Sequence, residues 1–182
     1  MKKVFIFFAE GFEEIEAITP VDVLRRAGID VVTVSVMGKS EVTGSHNIKI
    51  ITDTLIEKIK DEQADMLILP GGMPGALNLN SNETLKEMLR KHSGTGRQLG
   101  AICAAPLVLG EMGLLENKTA TCYPGFENHL KGADVTANPV ETSDNIVTGK
   151  GVGAAMKFAL EIVAQLIDKK TADELAAKMV VE

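Results

Sequence analysis

Cys103 stands in the run Gly100-Ala101-Ile102-Cys103-Ala104-Ala105-Pro106, where strand-like residues give way to a helix start at a single reactive side chain. This is the layout of a nucleophile elbow. Ala101, Ala104 and Ala105 are small enough for a tight turn, and Pro106 suits the first turn of a helix, where its missing N–H has no partner to lose. A thiol at a helix N-terminus faces unpaired amides and the positive end of the dipole, which favour thiolate. Cys122 lies in a short strand-like stretch and reads as core.

Two further segments carry groups suited to a thiol. Pro70-Gly71-Gly72 is by itself only a turn signal, but glycine lets backbone approach a substrate that a side chain would block. The Gly72 amide, with the Ala104 amide just after the thiol, would make a pair of donors for a developing oxyanion. Glu13, Glu14 and Glu16 occupy the first turns of an expected helix, where carboxylates compensate the dipole without further role. One of them, desolvated beside the thiol, would keep its proton, donate a hydrogen bond to the thiolate and shuttle protons. Residue type and spacing leave the three acids equivalent.

Other patterns fall short. Gly149-Lys150-Gly151-Val152-Gly153 precedes a helix but completes neither a dinucleotide fingerprint nor a P-loop; anion binding at the helix start is what it still permits. His46, His92 and His129 are scattered without metal-ligand spacing, and His92 reads as a solvated cap near a helix end. No metal site is expected.

The elements that must position these groups follow an α/β order. Val4–Ala9 has no alternation, as expected of a parallel strand covered on both faces. A helix is expected from Glu13 to Ala27, with a kink or a Thr19-capped restart at Pro20 and a Gly28 ending. Strands follow at 31–36, 66–69 and 99–102, a small hairpin at 41–51, and helices at 82–91 and 105–112. Short strands are read at 119–123, 135–137, 140–142 and 146–148. The longest helix spans about 154–167 with Met156, Ala159, Leu160, Val163 and Ile167 on its apolar face, and Thr171 caps a last helix to Met179. In such a sheet, ligands bind beyond the C-terminal strand ends, which is where the acidic loop, Gly71-Gly72 and Cys103 all fall.

The chain has 182 residues, 45% of them apolar and 24% charged, which suits one soluble domain over residues 1–182 and excludes disordered and disulfide-stapled classes. With no Trp, one Tyr and six Phe, the core must be aliphatic. A formal charge of −6 offers no cationic footprint for nucleic acid. Two cysteines fit a reducing, cytoplasmic setting. The apolar run after Lys2-Lys3 is too short for a signal peptide and is followed at once by acids, and no run approaches the roughly 18 apolar residues of a membrane helix.

Several ordered motifs together resemble the ThiJ/PfpI superfamily over nearly the whole chain. They are Glu13-Glu14-Ile15-Glu16 through Pro20-Val21-Asp22-Val23-Leu24-Arg25-Arg26-Ala27-Gly28, Leu69-Pro70-Gly71-Gly72, Gly75-Ala76-Leu77-Asn78-Leu79, Ala101-Ile102-Cys103-Ala104-Ala105-Pro106, and Gly151-Val152-Gly153 with Phe158-Ala159-Leu160. The likeness is greatest to the branch containing the parkinsonism-associated protein and its bacterial relatives. It implies a flavodoxin-like three-layer α/β/α sandwich with a mostly parallel central sheet, usually homodimeric. It maps the family's nucleophile onto Cys103, its partner acid onto Glu16 and the oxyanion donors onto the Gly72 and Ala104 amides, with Gly71, Tyr123, His46 and Arg26 as pocket candidates. It implies a cofactor-independent glyoxalase or deglycase that converts a small aldehyde, methylglyoxal, to lactate. A redox sensor or chaperone acting through Cys103 oxidation is the alternative, and a peptidase or amidase the weaker one. Two departures stand out. Ala104 replaces the His that follows the Cys in peptidase-like members, and Tyr123 falls where many of the closer branch have His; a phenol donates a hydrogen bond but is no base near neutral pH.

Overall fold

The computed structural model describes residues 1–181. The chain lays down β1 (Lys3–Phe8), α1 (Glu14–Arg26) and β2 (Asp30–Ser35), then a hairpin of β3 (Glu41–Thr43) and β4 (Lys49–Ile51). Next come β5 (Thr54–Leu55), the one-turn α2 (Ile56–Ile59), β6 (Met66–Leu69), α3 (Gly75–Ser81), α4 (Glu83–Gly94) and β7 (Gln98–Ile102). The remainder is α5 (Pro106–Glu111), β8 (Thr119–Thr121), β9 (Asp134–Thr136), β10 (Val140–Ser143), β11 (Ile146–Gly149), α6 (Ala155–Leu166) and α7 (Lys169–Lys178).

Seven strands form the central sheet in the order β10-β11-β7-β6-β1-β2-β5. All neighbours are parallel except the β10–β11 hairpin at one edge. The apolar runs of β1 and β6 are buried throughout, as strands covered on both faces must be. On one face α1 packs against α6, and α6 against α7; on the other, α3 packs against α4 and α5. The result is a flavodoxin-like α/β/α sandwich around one contiguous apolar cluster. From β1 the chain winds one way to β2 and then returns to β6 on the other side, so the sheet reverses direction between β1 and β6. In an open α/β sheet that switch point is where a ligand crevice forms.

Four local expectations change. Pro20 neither breaks nor restarts α1; it is buried inside a continuous helix, and its missing N–H leaves the Glu16 carbonyl without its helical donor. Asp168, not Thr171, caps the last helix, accepting from the Thr171 amide at 2.7 Å. The buried face of α6 is Ala155, Phe158, Ala159, Ile162, Val163 and Leu166, whereas Ile167 lies past the helix end and is exposed. His92 is buried rather than solvated: its Nε2 lies 2.8 Å from the Gln98 carbonyl oxygen, and desolvation lowers its pKa. α3 escaped the sequence reading because Gly-Ala-Leu-Asn-Leu-Asn-Ser combines poor helix formers with no acidic start.

Candidate active site

Cys103 is the first residue beyond β7, and its φ of 64° puts it in the left-handed region that a side chain ordinarily avoids. Holding a non-glycine residue there costs about 1–2 kcal/mol. The turn is fixed on every side: the Cys103 amide donates to Gly149 O at 2.9 Å, Tyr123 N–H donates to the Cys103 carbonyl at 2.8 Å, and Ala105 N–H donates to Ile102 O at 3.0 Å. A strained backbone so thoroughly pinned is the elbow expected of a positioned thiol.

The structure brings Glu16 to this thiol. A Cβ built on Gly71 would stand 2.6 Å from Cys103 Cβ, 2.6 Å from Glu16 Oε2 and 2.8 Å from the Ile102 carbonyl oxygen. Gly71 is therefore glycine because the two side chains close over it. Glu16 is completely buried, and neither of its carboxyl oxygens has a hydrogen-bond partner of ordinary geometry among the described residues. A buried carboxylate with no cation and only weakly placed donors is held at high cost, and it takes up a proton instead. Burial accordingly raises Glu16 to about 7, with the nearby Glu13 charge adding and the Cys103 thiol and Gly71 amide opposing.

The thiol does not behave as a simple helix-start cysteine. Burial pushes it up to about 12, reinforced by the charge of the Glu16 carboxylate; the amides of Gly72 and Ala104 act in the lowering direction. This corrects the expectation that the helix start alone favours thiolate, since desolvation and a neighbouring anion outweigh one short helix. Two negative charges do not coexist here. The pair holds one, either as carboxylate with thiol or as carboxylic acid with thiolate, and the raised carboxyl makes the second form accessible. Among the described residues the Gly72 and Ala104 amides donate to no backbone carbonyl, which leaves them free to face the sulfur and an oxygen beside it. Gly72 has φ 89°, and a Cβ there would meet Glu13 N at 2.3 Å.

The three acids separate cleanly. Glu13 is the N-cap of α1, its Oε2 accepting from Glu16 N at 2.8 Å. Glu14 clamps the loop between β3 and β4, accepting from the amides of His46 at 2.7 Å and Ile48 at 3.4 Å and pairing with His46 Nδ1 at 2.8 Å. Burial opposes its ionisation, but the His46 ring and these amides hold its carboxyl below the usual range, and the same contact raises His46. His46 Nδ1 is 3.9 Å from Glu13 Oε1. Glu13, Glu14 and His46 thus gather within 4.8 Å, a grouping that scattered sequence positions did not suggest. The contacts of Glu14 explain the cluster as a loop clamp.

Of the pocket candidates, Gly71 and Tyr123 adjoin the thiol and His46 lies at the outer edge beyond Glu13. Arg26 is not brought to the thiol of its own chain. It ends the helix that Glu16 begins, ten residues and about 15 Å along the axis, with its exposed guanidinium paired to Asp22 at 2.8 Å. Cys122 is buried, and burial together with the Glu127 charge raises it to about 11. Among the described residues no helix is long and apolar enough to cross a membrane.

The chain is 42% identical to Protein DJ-1 homolog B of Arabidopsis thaliana over 98% of its own length, and spans only 41% of that relative. It is 33% identical to the protein named glutathione-independent glyoxalase DJR-1.2 of Caenorhabditis elegans, with 86% of this chain and 84% of the relative covered. Its fold superposes on that of oxidized Toxoplasma gondii DJ-1 with a TM-score of 0.96 at 36% identity, covering 99% and 98% of the two chains. The DJ-1/PfpI family model matches residues 2–165, so with the sandwich, the elbow and the buried Glu16 beside it, this chain belongs to the DJ-1/PfpI family.

Proposed function

We propose that the chain is a cofactor-independent glyoxalase that converts small 2-oxoaldehydes to 2-hydroxy acids, methylglyoxal to lactate, with Cys103 as nucleophile. The observation that carries this reading is the fully buried, unpartnered Glu16 carboxyl, raised to about 7 and set across Gly71 from the strained Cys103. The thiolate, formed as its proton passes to Glu16, adds to the aldehyde carbon, and the amides of Gly72 and Ala104 hold the new oxyanion. Glu16 returns that proton to the oxyanion, giving a neutral hemithioacetal, and, again a carboxylate, carries the hydrogen of that carbon, as a proton, to the neighbouring carbonyl carbon through an enediol. The first carbon is oxidised and the second reduced, leaving a lactoyl thioester with no outside oxidant. Water hydrolyses it, returning the thiol and releasing lactate. The name borne by the Caenorhabditis elegans relative supports this chemistry. The two free thiols suit a cytoplasmic enzyme, and a homodimer is the assembly expected from the resemblance.

Lactate formed from methylglyoxal, assayed with Cys103→Ala and Glu16→Ala, tests the reading. Both variants should fall to background, and turnover surviving either change excludes the mechanism. A second reading rests on the same geometry: a positioned, 8%-exposed thiol is a site for oxidation, and deglycation or stress protection would draw on it. Mild peroxide should then add two oxygens to Cys103 before Cys122 reacts, seen by intact and peptide mass. Indifference of Cys103 removes that role. A peptidase is the weakest case, since Ala104 stands where a Cys-His dyad would need its base.

A further inference from the structure

Beside the dyad lies an open cavity of about 520 Å³ that a three-carbon aldehyde does not need. Its walls are apolar, among them the Tyr123 ring, Pro139 and Val152, and among the described residues its lining contains two cations, Lys150 and Lys157, and no carboxylate. Neither Lys150 nor Lys157 has a carboxylate partner among the described residues, and these two are the cations that line the cavity. Lys150 Nζ donates to the Ala137 carbonyl at 3.0 Å, which steadies it at the cavity with two hydrogens unspent.

Gly151 stands between this cavity and the Glu16 carboxyl. Its backbone is extended, so the absence of a side chain matters for space rather than for strain. A Cβ there would stand 3.2 Å from the Tyr123 ring and 3.9 Å from Glu16 Oε1. The missing side chain thins the wall between the cavity and the Glu16 carboxyl, whose oxygens are buried. Tyr123 is in turn tied to the elbow through its amide bond to the Cys103 carbonyl.

We infer that this cavity is a substrate subsite for an apolar or aromatic substituent ending in a carboxylate, so that the preferred substrates are carboxylate-bearing 2-oxoaldehydes rather than methylglyoxal. The apolar walls take the body of the group, and Lys150 and Lys157 take its charge. For turnover this rests on the glyoxalase reading above; for binding it does not, and the two parts are tested separately.

Tyr123 is the only tyrosine in a chain without tryptophan, so its emission reports on this cavity alone. Cyclohexanecarboxylate, which does not absorb where tyrosine does, should perturb that emission saturably and bind about tenfold more tightly than neutral cyclohexylmethanol. The double change Lys150→Gln with Lys157→Gln, at one half-buried and one exposed position, should erase the difference, and Lys→Arg at both should keep it. Equal binding of the two probes, no binding, or a double variant that still discriminates would overturn the subsite. In turnover, 4-carboxyphenylglyoxal should exceed phenylglyoxal and methylglyoxal in kcat/KM. The Gln pair should lower only the first, about tenfold and through KM. An equal loss on all three, or none, overturns the specificity. If no 2-oxoaldehyde is turned over while the carboxylate preference in binding holds, the glyoxalase reading fails and the subsite stands.

Discussion

Replacing Glu16 with Gln should abolish turnover and at the same time make the protein more stable. The loss of activity follows from removing the acid that stands beside the thiol and carries its proton, an effect of ~10²–10⁴ in rate for a general acid–base. The gain in stability follows from burial. Glu16 is completely buried without a hydrogen-bond partner of ordinary geometry among the described residues, and burial raises its carboxyl to about 7 against an ordinary 4.5. The folded-state value lies above the unfolded one, so its contribution to stability is complete below about 4.5 and is lost as pH rises through about 7. Gln carries no charge to desolvate. The variant should therefore unfold like wild type near pH 4.5 and gain roughly 1–3 kcal/mol by pH 8. Chemical denaturation at both pH values measures this. A variant that is less stable at pH 8 would mean that the carboxylate has compensation not apparent in its surroundings.

Gly71→Ala should inactivate the protein by a different route. One methyl group at that position meets Cys103 Cβ, Glu16 Oε2 and the Ile102 carbonyl oxygen all within 2.8 Å. Two of those three are the candidate catalytic side chains, and the third is backbone that cannot rotate away. Overpacking of this kind costs about 1–3 kcal/mol. Displacing positioned groups by about 1 Å costs on the order of 10²-fold in rate. Gly151→Ala is the control, because its Cβ would meet a half-exposed Tyr123 ring that can turn aside. Methylglyoxal turnover should fall at least tenfold further in Gly71→Ala than in Gly151→Ala. Comparable activity in the two would show that the dyad does not close over Gly71.

Much of this was legible in the residues. The unbroken apolar runs 4–9 and 66–69 announced strands buried on both faces, and a strand running into Cys103-Ala104-Ala105-Pro106 announced the elbow. What the residues could not supply was the third dimension. Glu13, Glu14 and Glu16 are equivalent as letters; a cap, a loop clamp and a buried acid emerge only when α1 starts beside the 44–48 turn and over Gly71. Arg26 was a pocket candidate through the resemblance alone, but ten helical residues carry it to the other end of α1. His92 passed for a solvated cap because its acceptor, the Gln98 carbonyl, comes from the following strand. The cavity beyond Gly151 is assembled from three separate stretches of chain, and no local pattern marks it.

The most direct test of the central claim, one negative charge shared between Cys103 and Glu16, is the pH dependence of Cys103 alkylation by iodoacetamide, followed by mass in wild type and in Glu16→Gln. If the pair shares the charge, the wild-type rate climbs through a step near pH 7 as the pair loses its first proton, then levels off well below the thiol's own titration near 12. Glu16→Gln should lack the step, because an amide can donate to sulfur but has no proton to surrender. A wild-type profile without a step near pH 7, or a step that survives in Glu16→Gln, would contradict it.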